Sequence, residues 1–205
     1  LESYKSALAC DPVSAFGGIV SCNFKINKIL ALELSKLFLE VIIANKFDSS
    51  ALKVLKKKKN LRLVDASDYS INDGLKYLSA NNEILIQSED LKKFTTKNFK
   101  IVSKRKPSTK QMKNLIFAFN VCRYVKSNAI VIAANETTAG IGSGQPSRLD
   151  SCKIAIDKMK KFQKIKENDL ILGASDAFFP FVDGVETLVQ NGVSAIIQPS
   201  GSIRD

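Results

Sequence analysis

The amino-acid sequence predicts an α/β protein made of two successive units in which strands alternate with helices. Three observations carry the prediction. Short apolar runs rich in β-branched residues alternate with segments of helical spacing from residue 19 to residue 65. The same alternation resumes after residue 129. Between the two lies a polar, irregular stretch, which divides the chain into units 1–105 and 106–205.

In the first unit, Ile19 and Val20 lead into a strand after the loop "CDPVSAFGG". "NKILALELSKLF" then sets Leu30, Leu34, Leu37 and Phe38 at helical spacing, and "EVIIAN" (40–45) reads as a buried strand. "DSSALKVLKKKKN" places Leu52 and Leu55 on a short helix, and "LRLVD" (61–65) returns to strand. From "DYSINDGLKYLSANNE" onward the pattern is irregular, with short apolar runs at "ILIQ" (84–87) and "KIVS" (100–103). In the second unit, Pro107 and Ser108 start a helix whose apolar face is Met112, Leu115, Ile116, Phe119 and Cys122. "AIVIAAN" (129–135) is a strand, "NETT" a turn and "AGIG" a return strand. "SGQPSR" opens a helix bearing Ile154, Ala155, Lys158, Met159 and Phe162. "LILGASD" (170–176) is a further buried strand. Val185, Leu188 and Val189 then make a helical face stopped by Gly192, and "SAIIQPSGS" is a last strand ending in a polar loop.

With 205 residues and 45% apolar side chains, the chain can bury a sizeable core. It has no apolar run long enough to span a bilayer, and "LESYKSALACDP" lacks the basic and apolar regions of a leader, so a cytoplasmic location is expected. Cys10, Cys22, Cys122 and Cys152 form no CxxC pair and find no histidine to complete a zinc site, so buried reduced thiols are expected and no metal is required. The formal charge of +11 suits nucleic acid, anionic lipid or small anionic substrates. Much of it lies in "KVLKKKKNLR" and "KMKKFQKIK", on what read as solvated helix faces and ends. No aromatic alternates with those lysines to stack bases, so neither nucleic acid nor membrane is expected as a partner. The missing histidine is the sharper constraint, because any proton transfer must use another group. The chain begins without Met and stops at "GSIRD" directly after a strand and turn, as a fragment would.

Four loops combine small, polar and strand-terminal residues: "DPVSAFGG", "KSNAI", "GIGSGQPSR" and "SDAFFPFVDG". In α/β sheets, ligands gather at such strand ends and the helix starts that follow. "GIGSG" is neither GxGxxG nor a P-loop, but its glycines permit close backbone approach and Arg148 after it is suited to face an anion. A plain tight connection is the competing reading. Asn128 follows a helix and precedes a strand; its amide can donate and accept but cannot take a proton, so it positions a ligand or satisfies local backbone. In "SDAFFPFVDG", Phe178 and Phe179 suit either core or a planar ligand, Pro180 stiffens the loop, and Asp183 suits a helix N-cap.

Taken together, "DPVSAFGG", "VKSNAIV", "GIGSGQPSR", "SDAFFPF-DG" and "GV-AIIQPSGSIRD" resemble the transformylase domain of the bifunctional AICAR transformylase/IMP cyclohydrolase family, in matching order over nearly the whole chain. The resemblance implies duplicated cytidine-deaminase-like α/β units, mixed sheets flanked by helices, without zinc. It also implies formyl transfer from 10-formyltetrahydrofolate to AICAR ribonucleotide, in a homodimer whose active sites span the interface. By motif, Gly17, Glu40, Asn128, Arg148 and Phe178 would contact AICAR, and Leu149, Asp183, Ser202 and Ile203 would lie along the folate. Phe179 and Phe181 are then left for packing, and Glu40 stands where some relatives carry Asp. The family's proton-transfer histidine, beside a lysine upstream of "DPVSAFGG", and its arginine and aromatic segment after "GSIRD" have no counterpart in these 205 residues. The resemblance therefore leaves two readings, a transformylase scaffold whose base lies elsewhere in the protein, or a domain that binds purine nucleotide or folate without catalysis. A basic RNA-binding module is permitted by charge and unsupported by the motifs.

Overall fold

A computed structural model describes residues 1–69, 74–92, 94–163 and 169–202. Helix α1 (Glu2–Ala9) opens the chain. The chain divides into one compact unit of Leu1 with Ala15–Lys93 and another of Glu2–Ser14 with Phe94–Asp205, so α1 and the start of the "DPVSAFGG" motif belong with the C-terminal half.

The first unit holds β1 (Gly18–Ile26), α2 (Lys28–Leu34), β2 (Leu39–Phe47), α3 (Ser49–Leu55) and β3 (Arg62–Asp65), with the three strands parallel in the order β1-β2-β3. Asn27 starts α2 by accepting the Leu30 N–H at 3.0 Å. Leu30, Leu34, Ile42 and Leu55 are fully or almost fully buried, as their spacing requires. Two expectations shift. Helix α2 stops at Leu34, because the chain must turn into β2 at Leu39; Phe38 is thus outside the helix, against Phe16 with ring centroids 5.0 Å apart. Strand β2 is buried at Leu39, Ile42, Ala44 and Phe47 but not along its whole length, with Glu40, Asn45 and Lys46 exposed. The polar stretch after residue 69 contains an unanticipated hairpin, β4 (Leu75–Ala80) against β5 (Glu83–Ser88), turning at Asn81 with φ +54°. Its apolar residues are spread over both faces and remain exposed, so no single-face alternation marked it. "KIVS" (100–103) forms no strand.

The second unit holds α4 (Thr109–Cys122), β6 (Ile130–Ala134), β7 (Thr137–Gly142), α5 (Arg148–Phe162), β8 (Ile171–Ser175), α6 (Val182–Gln190) and β9 (Ala195–Ile197). Its sheet is mixed, ordered β7-β6-β8-β9, with β6 antiparallel to both neighbours and β9 parallel to β8. A capping box between Ser108 and Gln111 starts α4 at the expected place. Side chains alternate through β6: Ile130 and Ile132 join the core under α5 and α6, and Val131 and Ala133 join the core under α4. Both faces are covered, so β6 and β8 are buried along nearly their whole length. The buried stripe of α5 is Cys152, Ala155, Ile156 and Met159, while Ile154 is only half-buried. On α6, Leu188 is buried and Val189, expected in the same face, is exposed.

The glycines of "GIG" have a packing role. A Cβ on Gly140 would lie 2.0 Å from the Ala155 carbonyl oxygen, and one on Gly142 would lie 1.9 Å from that of Ser151. Two residues apart on a strand face two residues four apart on a helix, so α5 rests backbone-to-backbone on β7. Gly142→Ala must push α5 off the sheet. The expected loss is about 3 kcal/mol, read as a lower urea midpoint with unchanged slope.

Candidate functional site

The register of the second sheet gathers three of the singled-out loops at one end. Ile130, at the start of β6, pairs with Gly142 at the end of β7 and with Ser175 at the end of β8. Asn128 therefore precedes β6 at the edge where β7 leaves toward α5 and β8 leaves toward "DAFFPF". The three segments line an open cleft of about 390 Å3, walled by Asn128, Arg148, Leu149, Phe178, Phe181 and Asp183 among others.

Arg148, in the first turn of α5, is the anchor. Its Nη1 donates to Ser175 Oγ at 2.8 Å and to Asp176 Oδ1 at 2.5 Å, and its Nη2 donates to Asn128 Oδ1 at 2.7 Å. The side chains of Arg148 and Asp176 are 11% and 16% exposed. Asp176 Oδ1 also accepts the Ala129 N–H at 3.0 Å. Burial raises the Asp176 carboxyl, but hydrogen bonds from Ser127, Arg148 and Ala129 outweigh it, and its pKa lies below the ordinary value. Asn128 donates its side-chain amide to the backbone carbonyls of Gln145 and Pro146, both at 2.9 Å, and its backbone carbonyl accepts Ser151 Oγ–H at 2.8 Å. The amide is bound into the scaffold, as the local reading of this residue has it, and it also lines the cleft. Arg148, suited by sequence to face an anion, already faces Asp176.

In the aromatic loop, Phe179 is buried over Gly184, Phe178 is 38% exposed at the cleft and Phe181 is 58% exposed. Phe181 thus does not take the packing role expected of it; helix α6 starts immediately after it, leaving its ring outside the core. Phe181, not Asp183, is the N-cap residue of α6; Asp183 sits in the first turn, exposed, with Oδ1 accepting the Gly184 N–H at 2.7 Å. Leu149 is half-buried in the cleft wall. Gly201 lies against the Phe178 ring, so half-buried Ser202 follows next to it; Ile203 lies outside the described residues. Gly17, at φ +73°, and exposed Glu40 belong to the first unit, where the Gly17 α-carbon faces the Phe38 ring and the Glu40 carboxylate. Asp176 is the residue that sequence reasoning undervalued: only its place beside the aromatics hinted at its role.

Among the described residues, no cluster of His, Cys, Asp and Glu could hold a metal ion, and no helix is long and apolar enough to cross a membrane. All four cysteines are free and buried, and burial pushes the Cys122 and Cys152 thiols up to about 12.

The fold and site define an α/β protein with a cleft at the strand ends of a mixed sheet, walled by a proline-stiffened aromatic loop and backed by an oriented guanidinium and amide. Residues 1–158 match the AICARFT/IMPCHase bienzyme family, and the chain belongs to it. The whole chain is 46% identical to the bifunctional purine biosynthesis protein PurH of Petrotoga mobilis, and 44% identical to those of Parvibaculum lavamentivorans and Aquifex aeolicus. It spans 39% of the length of each.

The second unit also carries an acid-sensitive clasp. Asp11 pairs with Lys158 of α5 and caps the Ser14 N–H at 3.0 Å. Burial acts against its charge, but these partners win and hold its pKa at about 2, against an ordinary 3.8. A depressed folded-state pKa contributes stability that is complete above the unfolded value and lost as pH falls through the folded one. Wild-type protein should therefore lose a stability component between pH 4 and about pH 2 that Asp11→Asn lacks, measured by urea unfolding across that window.

Proposed function

We propose that the chain forms the main scaffold of an AICAR transformylase, transferring the formyl group of 10-formyltetrahydrofolate to AICAR ribonucleotide in purine biosynthesis, with IMP cyclohydrolase activity residing elsewhere in the complete gene product. The convergence of Asn128, Arg148 and Phe178 on one cleft, in a chain of this family, is the observation that carries the reading. In this proposal the two units are duplicated cytidine-deaminase-like folds. The enzyme is a cytosolic homodimer with active sites across the interface, in keeping with its free thiols. Folate is a co-substrate, and no metal takes part.

The AICAR 5-amino group is a poor nucleophile, because its lone pair is delocalised into the ring. As its nitrogen attacks the formyl carbon, a new C–N bond forms and the carbonyl becomes a tetrahedral oxyanion. Collapse breaks the bond to folate N10, the amine gives up a proton and N10 gains one. Asn128 orients AICAR through the remaining acceptor capacity of Oδ1, since both N–H groups are bound to backbone carbonyls. Arg148 adds its unengaged N–H groups and Phe178 a flat ring, with Gly17 and Glu40 as further nucleotide contacts. Leu149, Asp183, Ser202 and Ile203 follow the folate.

The absence of histidine supports a second reading, a domain that binds purine nucleotide or folate without catalysis. A transformylase assay on the complete gene product separates the two: no turnover by folded protein rejects the first. If AICAR and folate binding are also undetectable by calorimetry, the second goes with it.

Asn128→Ala removes an oriented acceptor at the reacting end and three scaffold bonds, two to backbone carbonyls and one from Arg148. Turnover should fall about 100-fold or more, while stability falls by about 1–3 kcal/mol. Activity within a few-fold of wild type at a temperature where the variant is folded would make Asn128 a scaffold residue only.

A further inference from the structure

We infer that Asp176, by cancelling the charge of Arg148, is a specificity-determining residue that makes the cleft accept a neutral carboxamide and reject the isosteric carboxylate. This rests on the reading of the cleft as the AICAR site.

The charged residues among the cleft lining are Arg148 and Asp183. Asp176 stands behind Arg148, outside the lining, and receives one Nη1 hydrogen at 2.5 Å while Ser175 receives the other. An arginine compensated at contact distance keeps its remaining N–H groups as directional donors but loses its long-range pull on anions. With Asp183 counted, the local sum is negative. Lys126 is close in the chain fold, since its carbonyl accepts the Gly144 N–H, but it is exposed and strongly screened. The lowered Asp176 pKa keeps the compensating charge in place at neutral pH.

AICAR offers two kinds of polar group to such a surface. Its phosphate needs uncompensated cations, which the described lining residues do not supply. Its carboxamide needs an acceptor for N–H and a donor for C=O, which Asn128 Oδ1 and the unengaged Arg148 N–H groups supply together. Replacing that carboxamide by a carboxylate keeps the shape, removes the N–H groups that Asn128 would accept, and adds a negative charge near Asp176 and Asp183. The cleft should reject it on both counts.

The experiment is calorimetry on the complete gene product, without folate, using AICAR ribonucleotide and 5-aminoimidazole-4-carboxylate ribonucleotide. Wild type should bind the carboxamide at least about tenfold more tightly; removing one unit charge a few ångströms from the ligand should shrink that ratio about tenfold in Asp176→Asn. The ratio, unlike either affinity alone, is not moved by a general loosening of the site. A ratio near one in wild type, or one unchanged within threefold in a folded Asp176→Asn protein, overturns the inference. Should Asp176→Asn not fold, Asp183→Asn, on the exposed first turn of α6, must lower the ratio in the same direction by about threefold, and an unchanged ratio again overturns it. Wild type that binds neither ribonucleotide fails earlier, at the assignment of the AICAR site, and the inference falls with it.

Discussion

The arrangement at the end of the second sheet depends on one largely buried ion pair, Arg148 with Asp176. Taking a guanidinium and a carboxylate out of water costs several kcal/mol for each, and the cost is met only when geometry and hydrogen bonding are nearly complete. Here both Nη1 hydrogens of Arg148 have acceptors, Nη2 reaches Asn128, and Asp176 is further bound by Ala129. Such a pair adds little net stability. Its effect is to reject alternatives: a displaced α5, a shifted β8 or a re-aimed Asn128 would each leave a buried charge or amide without a partner. The cleft is therefore backed by a set of groups that can be satisfied together in one arrangement.

That pair can form only because α5 approaches the sheet closely. Gly140 and Gly142 remove the two side chains that would hold the helix away, and Arg148 at its first turn then reaches the end of β8. The glycine-rich segment had suggested a loop shaped for an anion. Its glycines act earlier in the causal chain, setting the helix height that places the arginine, and the negative partner that Arg148 meets is a residue of the protein.

Much of this was legible in the sequence. Short apolar runs and helical spacing located β1 to β3 and every element from α4 to β9, because most of these elements bury apolar residues against a core. The β4–β5 hairpin was not legible, since a ribbon with apolar residues exposed on both sides carries no burial signal. Helix α1 has no buried residue and was missed for the same reason. In the cleft, the ordered motifs named Asn128, Arg148 and Phe178, but assigning exposure among Phe178, Phe179 and Phe181 needed the start of α6. Asp176 was visible only as a neighbour of the aromatics. Its partnership with Arg148 spans 28 positions and follows from strand register, which no local pattern encodes.

Binding and chemistry are separable in this scaffold. The groups that the second unit brings to its cleft are an amide with its donors spent, a compensated arginine, an aromatic ring and a carboxylate on a helix start. Each can orient a planar ligand, and none of the first three can accept a proton at neutral pH. Asp183 is exposed in the first turn of α6, where its Oδ1 accepts the Gly184 N–H. In the proposed transformylase these groups orient the heterocycle, and none of the first three is the base that takes the proton of the attacking amine. A protein built this way can lose its catalytic base and still recognise its ligand, because the ion pair that shapes the cleft takes no part in proton transfer.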